Sequence, residues 1–200
     1  MSGIYSGYVE AIMNRAWPIE LKNSELILRP LRFRDMNKWN RVRAENKDWL
    51  SPWEATIPSI SQENIAELPN FFGMVRSLQN EARNGRSFSF AIWKGPNLIG
   101  QISLGGVIYG AMRGGHIGYW IDQNFANRGY TTMAVQMLTE YAFKELNLHR
   151  IEINLRPENA ASRKVAEKAG YIFEGQRPRY LHIDGDWRDH IVFVKENPAH

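Results

Sequence analysis

Two stretches of this chain combine residue types and spacings suited to handling an anion and a proton. The first runs from Phe125 to Val135, "FANRGYTTMAV". The "GHIGYWID" before it reads as a strand, and the "TMAVQMLTEYAFKEL" that follows reads as an amphipathic helix. The first backbone N–H groups of a helix have no intrahelical partner and lie at the positive end of its dipole. A phosphate or pyrophosphate is the natural occupant of such a position. Gly129 would let the backbone approach it closely, Arg128 would add charge, and Thr131 and Thr132 would add hydroxyl donors. Taken alone, the stretch is also what an ordinary strand-to-helix connection looks like, with Gly129 a plain turn residue.

The second stretch is Leu155 to Gly175, "LRPENAASRKVAEKAGYIFEG". Asn159 opens a helix directly after a strand, and Ser162 stands one turn in. The structural reading makes Asn159 the N-cap and Ser162 a first-turn residue. A third region, "MNKWNRVRAENKDWLSPWEA", concentrates tryptophans and ends near Glu54; it is either the wall of an aromatic cleft or a tryptophan-rich core. Glu54 is a candidate to bind or deprotonate an amine, or a solvated loop carboxylate. Tyr180 and His182 in "RYLHIDG" are rivals for that role, and His116 lies on the strand before the first stretch.

Composition narrows the chemistry. The chain has 200 residues, 44% hydrophobic and 23% charged, as in a soluble globular protein. It has no cysteine, which excludes disulfides, thiolate zinc sites and a cysteine nucleophile. The sequence holds neither a GxGxxG dinucleotide fingerprint nor a GxxxxGK[ST] phosphate loop, so dehydrogenase and thioesterase readings lack a motif or a nucleophile. No apolar run approaches the ~20 residues of a membrane span, and the first residues lack the apolar core of a secretory signal. A cytoplasmic protein is the expectation. The net charge of +4 fits either a mildly basic surface or attraction to something anionic, a phosphate-rich cofactor or RNA near a substrate.

The elements that must hold these residues follow from periodicity. "ELILRPLR" reads as a short strand and "RDMNKWNRVRAENKDWL" as a helix capped by Asp35, with Met36, Trp39, Val42 and Arg43 near one face. "SPWEATIPS" is a loop. A helical stretch begins at Ser61, is split by Pro69 and ends at Gly85. Three strands follow: "RSFSFAIWK", with Phe88, Phe90 and Ile92 on one face; "LIGQISLGGVIYG", whose glycines suggest bulges; and "RGGHIGYWID". Then come a helix from Gly129 to about Asn147, the strand "HRIEINLRP", a helix closed by Gly170, and two strands joined by a "DG" hairpin turn. The order predicts an α/β domain with a mixed sheet.

In that order, a phosphate-binding helix start, Asn-x-x-Ser on a second helix and a Gly-Tyr-x-x-Glu-Gly strand resemble the GNAT acetyltransferase superfamily, from about Glu25 to Val194. "ILRPLRFRDMNKW", "WLSPWEAT" and "RYLHIDGDWRDHIVF" are most similar to the ribosomal-protein-alanine N-acetyltransferases, the RimJ/RimL group. Two positions depart from the pattern. The loop usually reads Gln/Arg-x-x-Gly-x-Gly/Ala and here is Ala126-Asn127-Arg128-Gly129-Tyr130-Thr131. A tyrosine one turn after the serine, which serves many relatives as thiolate acid, is here Ala166.

The resemblance implies a GNAT-like fold, with a central, mixed, mostly antiparallel, splayed sheet flanked by helices. It implies a single domain of residues 1–200, its core about 25–194 after an N-terminal extension 1–24. Acetyl-CoA would be the donor and no metal would be needed. The pyrophosphate would lie on Asn127, Arg128, Gly129, Tyr130, Thr131 and Thr132, and the pantetheine would run along Tyr119, Trp120 and Ile121. Asn159 would bond the pantetheine or hold the acceptor side. Ser162 would be the acid, with Glu54 and Tyr180 as further catalytic candidates. The acceptor would be a protein N-terminal α-amine on Ala or Ser, ribosomal or other. A small amine such as an antibiotic or polyamine, or a non-catalytic acetyl-CoA-binding module, are the alternatives. No nucleic-acid or membrane site is expected, and the chain would be a monomer or homodimer.

Overall fold

The computed structural model describes residues 17–58 and 70–199. Its centre is an eight-stranded sheet in the order β1-β2-β3-β4-β5-β6-β8-β7. β1 (Leu21–Lys22) and β2 (Ile27–Arg29) form one edge, and β3 (Phe88–Lys94), β4 (Asn97–Ile108) and β5 (Gly114–Ile121) continue it. β6 (Arg150–Leu155), β7 (Ile172–Ile183) and β8 (Asp186–Glu196) complete it. Every pairing is antiparallel except β5 with β6. The mixed sheet expected from the sequence is therefore present; the two-residue strand β1 went unread, being too short to carry a period.

Helices cover both faces. α4 (Tyr130–Lys144) and α5 (Ala160–Lys168) lie on one side, where Ala134, Val135 and Leu138 pack with Phe88, Phe90 and Ile92. α1 (Met36–Glu45) and α3 (Phe71–Arg83) lie on the other, where Val42, Phe71 and Val75 pack with Ala91 and Trp93. The alternation in β3 thus feeds two cores, not one buried face and one wet one.

Two local expectations are corrected. The first long helix breaks at Asn46 (φ −111°), and Lys47–Leu50 continues as a separate turn, α2. Asp35 precedes α1 but makes no capping bond. Its buried carboxylate instead accepts both guanidinium N–H groups of Arg29, at 2.7 and 2.9 Å, and the Arg32 N–H at 2.8 Å. Burial pushes this carboxyl up, but Arg29 and the Arg32 amide outweigh it and hold it below the ordinary aspartate value. The pair pins the start of α1 to β2. Asn70 caps α3 by accepting from Gly73 N–H (2.9 Å), and Gly85 (φ +68°) follows its end. The expected helix start at Ser61 and its split at Pro69 lie outside the described residues.

The feature that positions the site is a gap between β5 and β6. They pair only at Gly114↔Arg150, Gly115↔Ile151 and His116↔Glu152. Beyond those rungs each strand stays with its outer neighbour: Ile117 to Ile121 pair with β4, and Ile153 to Leu155 pair with β8. Two well-held strands therefore diverge and leave a wedge. At its closed end the Glu152 carboxylate takes Arg150 (3.0 Å) and Arg177 (2.9 Å). Both of its oxygens are committed to guanidinium groups, so this buried carboxylate is a structural tie.

Glycines serve the sheet where expected. β4 shifts register against β5 between Gly105 and Ile108, and Gly106 has φ +57°. The β7–β8 turn has Asp184 at φ +49° and Gly185 at φ +78°, the two left-handed residues of a type I′ hairpin. Among the described residues no helix is long and apolar enough to cross a membrane.

Candidate active site

A cavity of about 810 Å³ runs through the wedge and joins the two faces of the sheet. On the α4 side its floor is a strand-to-helix join. Asn127 (φ +60°) and Gly129 (φ +80°) both adopt left-handed backbone, and no side chain caps the helix. The first intrahelical bond runs from Met133 N–H to Gly129 C=O at 3.0 Å. The N–H groups of Tyr130, Thr131 and Thr132 are thus left at the positive end of a fifteen-residue helix. Gly129 has open space where a Cβ would be, so glycine is required by its dihedral angle and not by crowding.

The open edge of β5 leads from this cradle into the wedge, past Tyr119, Trp120 and Ile121. Trp49 Nε1–H donates to Ile121 C=O at 3.1 Å and occupies the last acceptor of that strand. On the opposite wall Asn159 caps α5 by accepting from Ser162 N–H at 2.9 Å. Its amide oxygen is therefore occupied by the structural role read from the sequence. The Ser162 hydroxyl lies 2.8 Å from the Tyr119 hydroxyl, which is also 3.2 Å from the Ser162 carbonyl oxygen. Burial pushes the Tyr119 phenol up to about 12, the Ser162 hydrogen bond opposing it. Ala166 is fully buried.

The other face is built from side chains. Trp39, Arg43, Trp49, Trp53 and Glu54 line it. Arg43 forms an ion pair with Glu54, and its guanidinium lies 5.2 Å from the Trp120 ring centre. Trp39 Nε1–H donates to Gln101 Oε1 at 3.2 Å. The loop carrying Trp53 and Glu54 is docked on the β7–β8 hairpin. Ala55 bridges to Ile183, Thr56 N–H donates to His182 C=O (2.9 Å), and the Thr56 hydroxyl lies 2.7 Å from His182 Nδ1.

These positions sort the expected residues. On the cofactor side all but Arg128 line the cavity; Arg128 is exposed, its guanidinium 5.6 Å from the Phe125 ring centre. Ser162 and Glu54 both line it, on opposite walls. Tyr180 does not; its ring stands 5.7 Å from that of His190 on the outer sheet, with Arg177 over it at 4.9 Å. His182 is engaged with Thr56, outside the cavity lining. His116 sits on the last paired rung of β5. Sequence reasoning missed Arg43 as the partner of Glu54, because eleven residues and a helix break separate them. It also missed Lys164 and Lys168, cations one turn apart on the cavity face of α5; their i, i+4 spacing was the available signal.

Comparison with known proteins decides the family. Residues 25–172 match the family model described as "Acetyltransferase (GNAT) domain". The chain belongs to the GNAT acetyltransferase family. Its fold is similar to that of RimJ from Mycobacterium smegmatis in complex with CoA-disulfide, with a TM-score of 0.81 and 33% identity, covering 90% of this chain and 88% of that one. It is 32% identical to the probable N-acetyltransferase YjcK of Bacillus subtilis, over 89% of this chain and 97% of that protein. It is 26% identical to the [ribosomal protein uS5]-alanine N-acetyltransferase of Escherichia coli, over 90% and 92% respectively. The chain is thus similar to proteins of the RimJ/RimL group, and acetyl-CoA is the family's donor substrate.

Proposed function

We propose that this acetyltransferase moves the acetyl group of acetyl-CoA to the α-amino group of a protein chain beginning with Ala or Ser, a ribosomal protein being the substrate class suggested by its relatives. One observation carries the reading: a single cavity joins a backbone-built anion cradle on one face of the sheet to an aromatic, ion-paired chamber on the other, through the β5–β6 gap. Donor and acceptor can then meet in the gap from opposite sides.

On the donor side the N–H groups of Tyr130 to Thr132 would hold the pyrophosphate, and Lys164 and Lys168 would add positive charge beside it. The pantetheine would follow the open edge of β5, and the thioester would lie near Ser162. Asn159 would act by holding the Ser162 turn. The amine attacks the thioester carbon, the C–S bond breaks with its electron pair on sulfur, and the proton the amine loses balances the one sulfur gains. Holding both partners in one slot, aligned for attack, is the main way such a site lowers the barrier.

The acceptor side supports an α-amine over the polyamine alternative. Glu54 is neutralised by Arg43, so the chamber has no net negative charge to draw in a polycation. An α-amine, with a pKa of about 7.7–8.0, is partly neutral at pH 7, whereas lysine at about 10.4 is almost wholly charged. Glu54 would accept an N–H of the amine, and the Arg43 N–H groups not engaged with Glu54 would donate to the first carbonyl of the peptide.

The test is an acetylation assay with peptides beginning with Ala, Ser or Met and carrying an internal lysine, scored for thiol release and for the modified atom. Modification of the α-amine of the Ala and Ser peptides is expected. Acetylation confined to lysine, or to free polyamines, would reject this acceptor.

A further inference from the structure

The wedge holds one pair of hydroxyl groups whose geometry exceeds what packing needs. Tyr119 reaches from β5 across the gap to the first turn of α5, the element on the opposite wall. Its oxygen has two partners there, the Ser162 hydroxyl at 2.8 Å and the Ser162 carbonyl at 3.2 Å. The carbonyl can only accept, and each hydroxyl carries one proton. Two arrangements follow. With Tyr119 donating to the carbonyl, Ser162 donates to Tyr119 and both protons are spent within the pair. With Tyr119 donating to Ser162 Oγ, the serine proton is released to the cavity. The two differ by rotation of hydroxyl hydrogens and need no heavy atom to move.

We propose that Tyr119 is the positioning residue that releases the Ser162 proton toward the departing CoA sulfur. The inference rests on the donor-side reading above. While the thioester is intact, the pair is closed. As the C–S bond breaks and its electron pair passes to sulfur, an anion forms beside Ser162. Tyr119 then turns its proton to Ser162 Oγ, and Ser162 donates its own hydrogen bond to the sulfur. Tyr119 keeps its proton throughout: its phenol, pushed up to about 12 by burial, is a fixed donor at every working pH. A hydroxyl that accepts one hydrogen bond is a better donor of the next, so a weak acid is strengthened by a neighbour that never ionises. The sequence carries no sign of the pair, because forty-three residues separate its members.

The test uses Tyr119→Phe, which keeps the ring and removes the donor. In the acetylation assay kcat is expected to fall about 10-fold, below the range of a full general acid, with the KM for acetyl-CoA and for peptide unchanged. In the double variant with Ser162→Ala the loss should be no greater than in Ser162→Ala alone. Full kcat in Tyr119→Phe, or losses that multiply in the double variant, would overturn the proposal. A second measurement is independent of the acceptor. The thiol of CoA bound to the full-length protein, followed by thiolate absorbance against pH, should titrate about one unit higher in Tyr119→Phe and in Ser162→Ala than in the wild type, one charge-assisted hydrogen bond being lost. Identical titrations in wild type and Ser162→Ala would refute the pair even if Tyr119→Phe failed to fold. A shifted titration with inactive peptides would leave the pair standing and reject only the acceptor.

Discussion

The two faces of the β5–β6 wedge are built from different materials. The face proposed for the donor is made of backbone: N–H groups at the start of α4, a glycine at φ +80°, and the open edge of β5. The face proposed for the acceptor is made of side chains from segments far apart: Trp39 and Arg43 on α1, Trp49 on α2, Glu54 on the following loop, and Trp120 on β5. A ligand common to a family can be held by groups every residue owns, so the proposed cradle would work with Ala126 and Thr131 where the resembled pattern has other residues. An acceptor has to be recognised by side chains, and their positions depend on salt bridges and loop docking elsewhere.

The contrast is sharpened most by a change in the acceptor scaffold. Asp35→Asn leaves Arg29 buried without its partner and should cost about 3 kcal/mol of stability, measured by denaturant unfolding. In the remaining folded protein peptide KM should rise while acetyl-CoA binding holds. The same residue sets a pH dependence. Its folded pKa is depressed, so its stabilisation is complete above the unfolded value of about 3.9 and is lost as pH falls through the lower folded value. Below about pH 4 the wild type should lose stability more steeply than Asp35→Asn.

Gly129→Val is the matching probe of the donor face. A β-branched residue at φ +80° carries strain of about 1–3 kcal/mol, and the helix start would relax away from its geometry. Acetyl-CoA binding should weaken about 10- to 100-fold with peptide KM little changed. Normal CoA affinity in this variant would place the cradle elsewhere and dissolve the comparison.

Two smaller effects belong to the acceptor face. Glu54→Gln should raise peptide KM about 10-fold, the loss of one charge-assisted hydrogen bond, and leave acetyl-CoA binding intact; equal losses in both would mean that the loop had collapsed. Thr56→Val removes the hydroxyl that meets His182 and accepts from Gly185 N–H (3.0 Å). It should raise peptide KM by about 2- to 5-fold, the scale of one or two exposed hydrogen bonds. An unchanged KM there would show that the loop holds its place without the hairpin.

Local chemistry was legible in the chain wherever a physical requirement falls on neighbouring residues. The helix start at Gly129, the Asn159 cap, the Gly170 stop and the Asp184–Gly185 turn each follow from dihedral angles or orphan N–H groups within a few positions. The alternation of β3 put Phe88, Phe90 and Ile92 on one face, and all three are in the core, since burial imposes the period of the element. The same locality misled at Asp35, whose side chain answers to Arg29 on β2 and not to the helix it precedes.

What only the tertiary structure decided are the meetings between elements. The splay exists because β5 and β6 are each held by an outer strand, which no single segment encodes. Arg43 reaches Glu54 around a helix break, His182 is drawn off to Thr56, and Tyr119 crosses the wedge to Ser162. The physical reason is range. Backbone dihedrals and hydrophobic period act over a few residues and are written in order along the chain; hydrogen bonds and ion pairs act over about 3 Å in space and are indifferent to how far apart in sequence their partners lie.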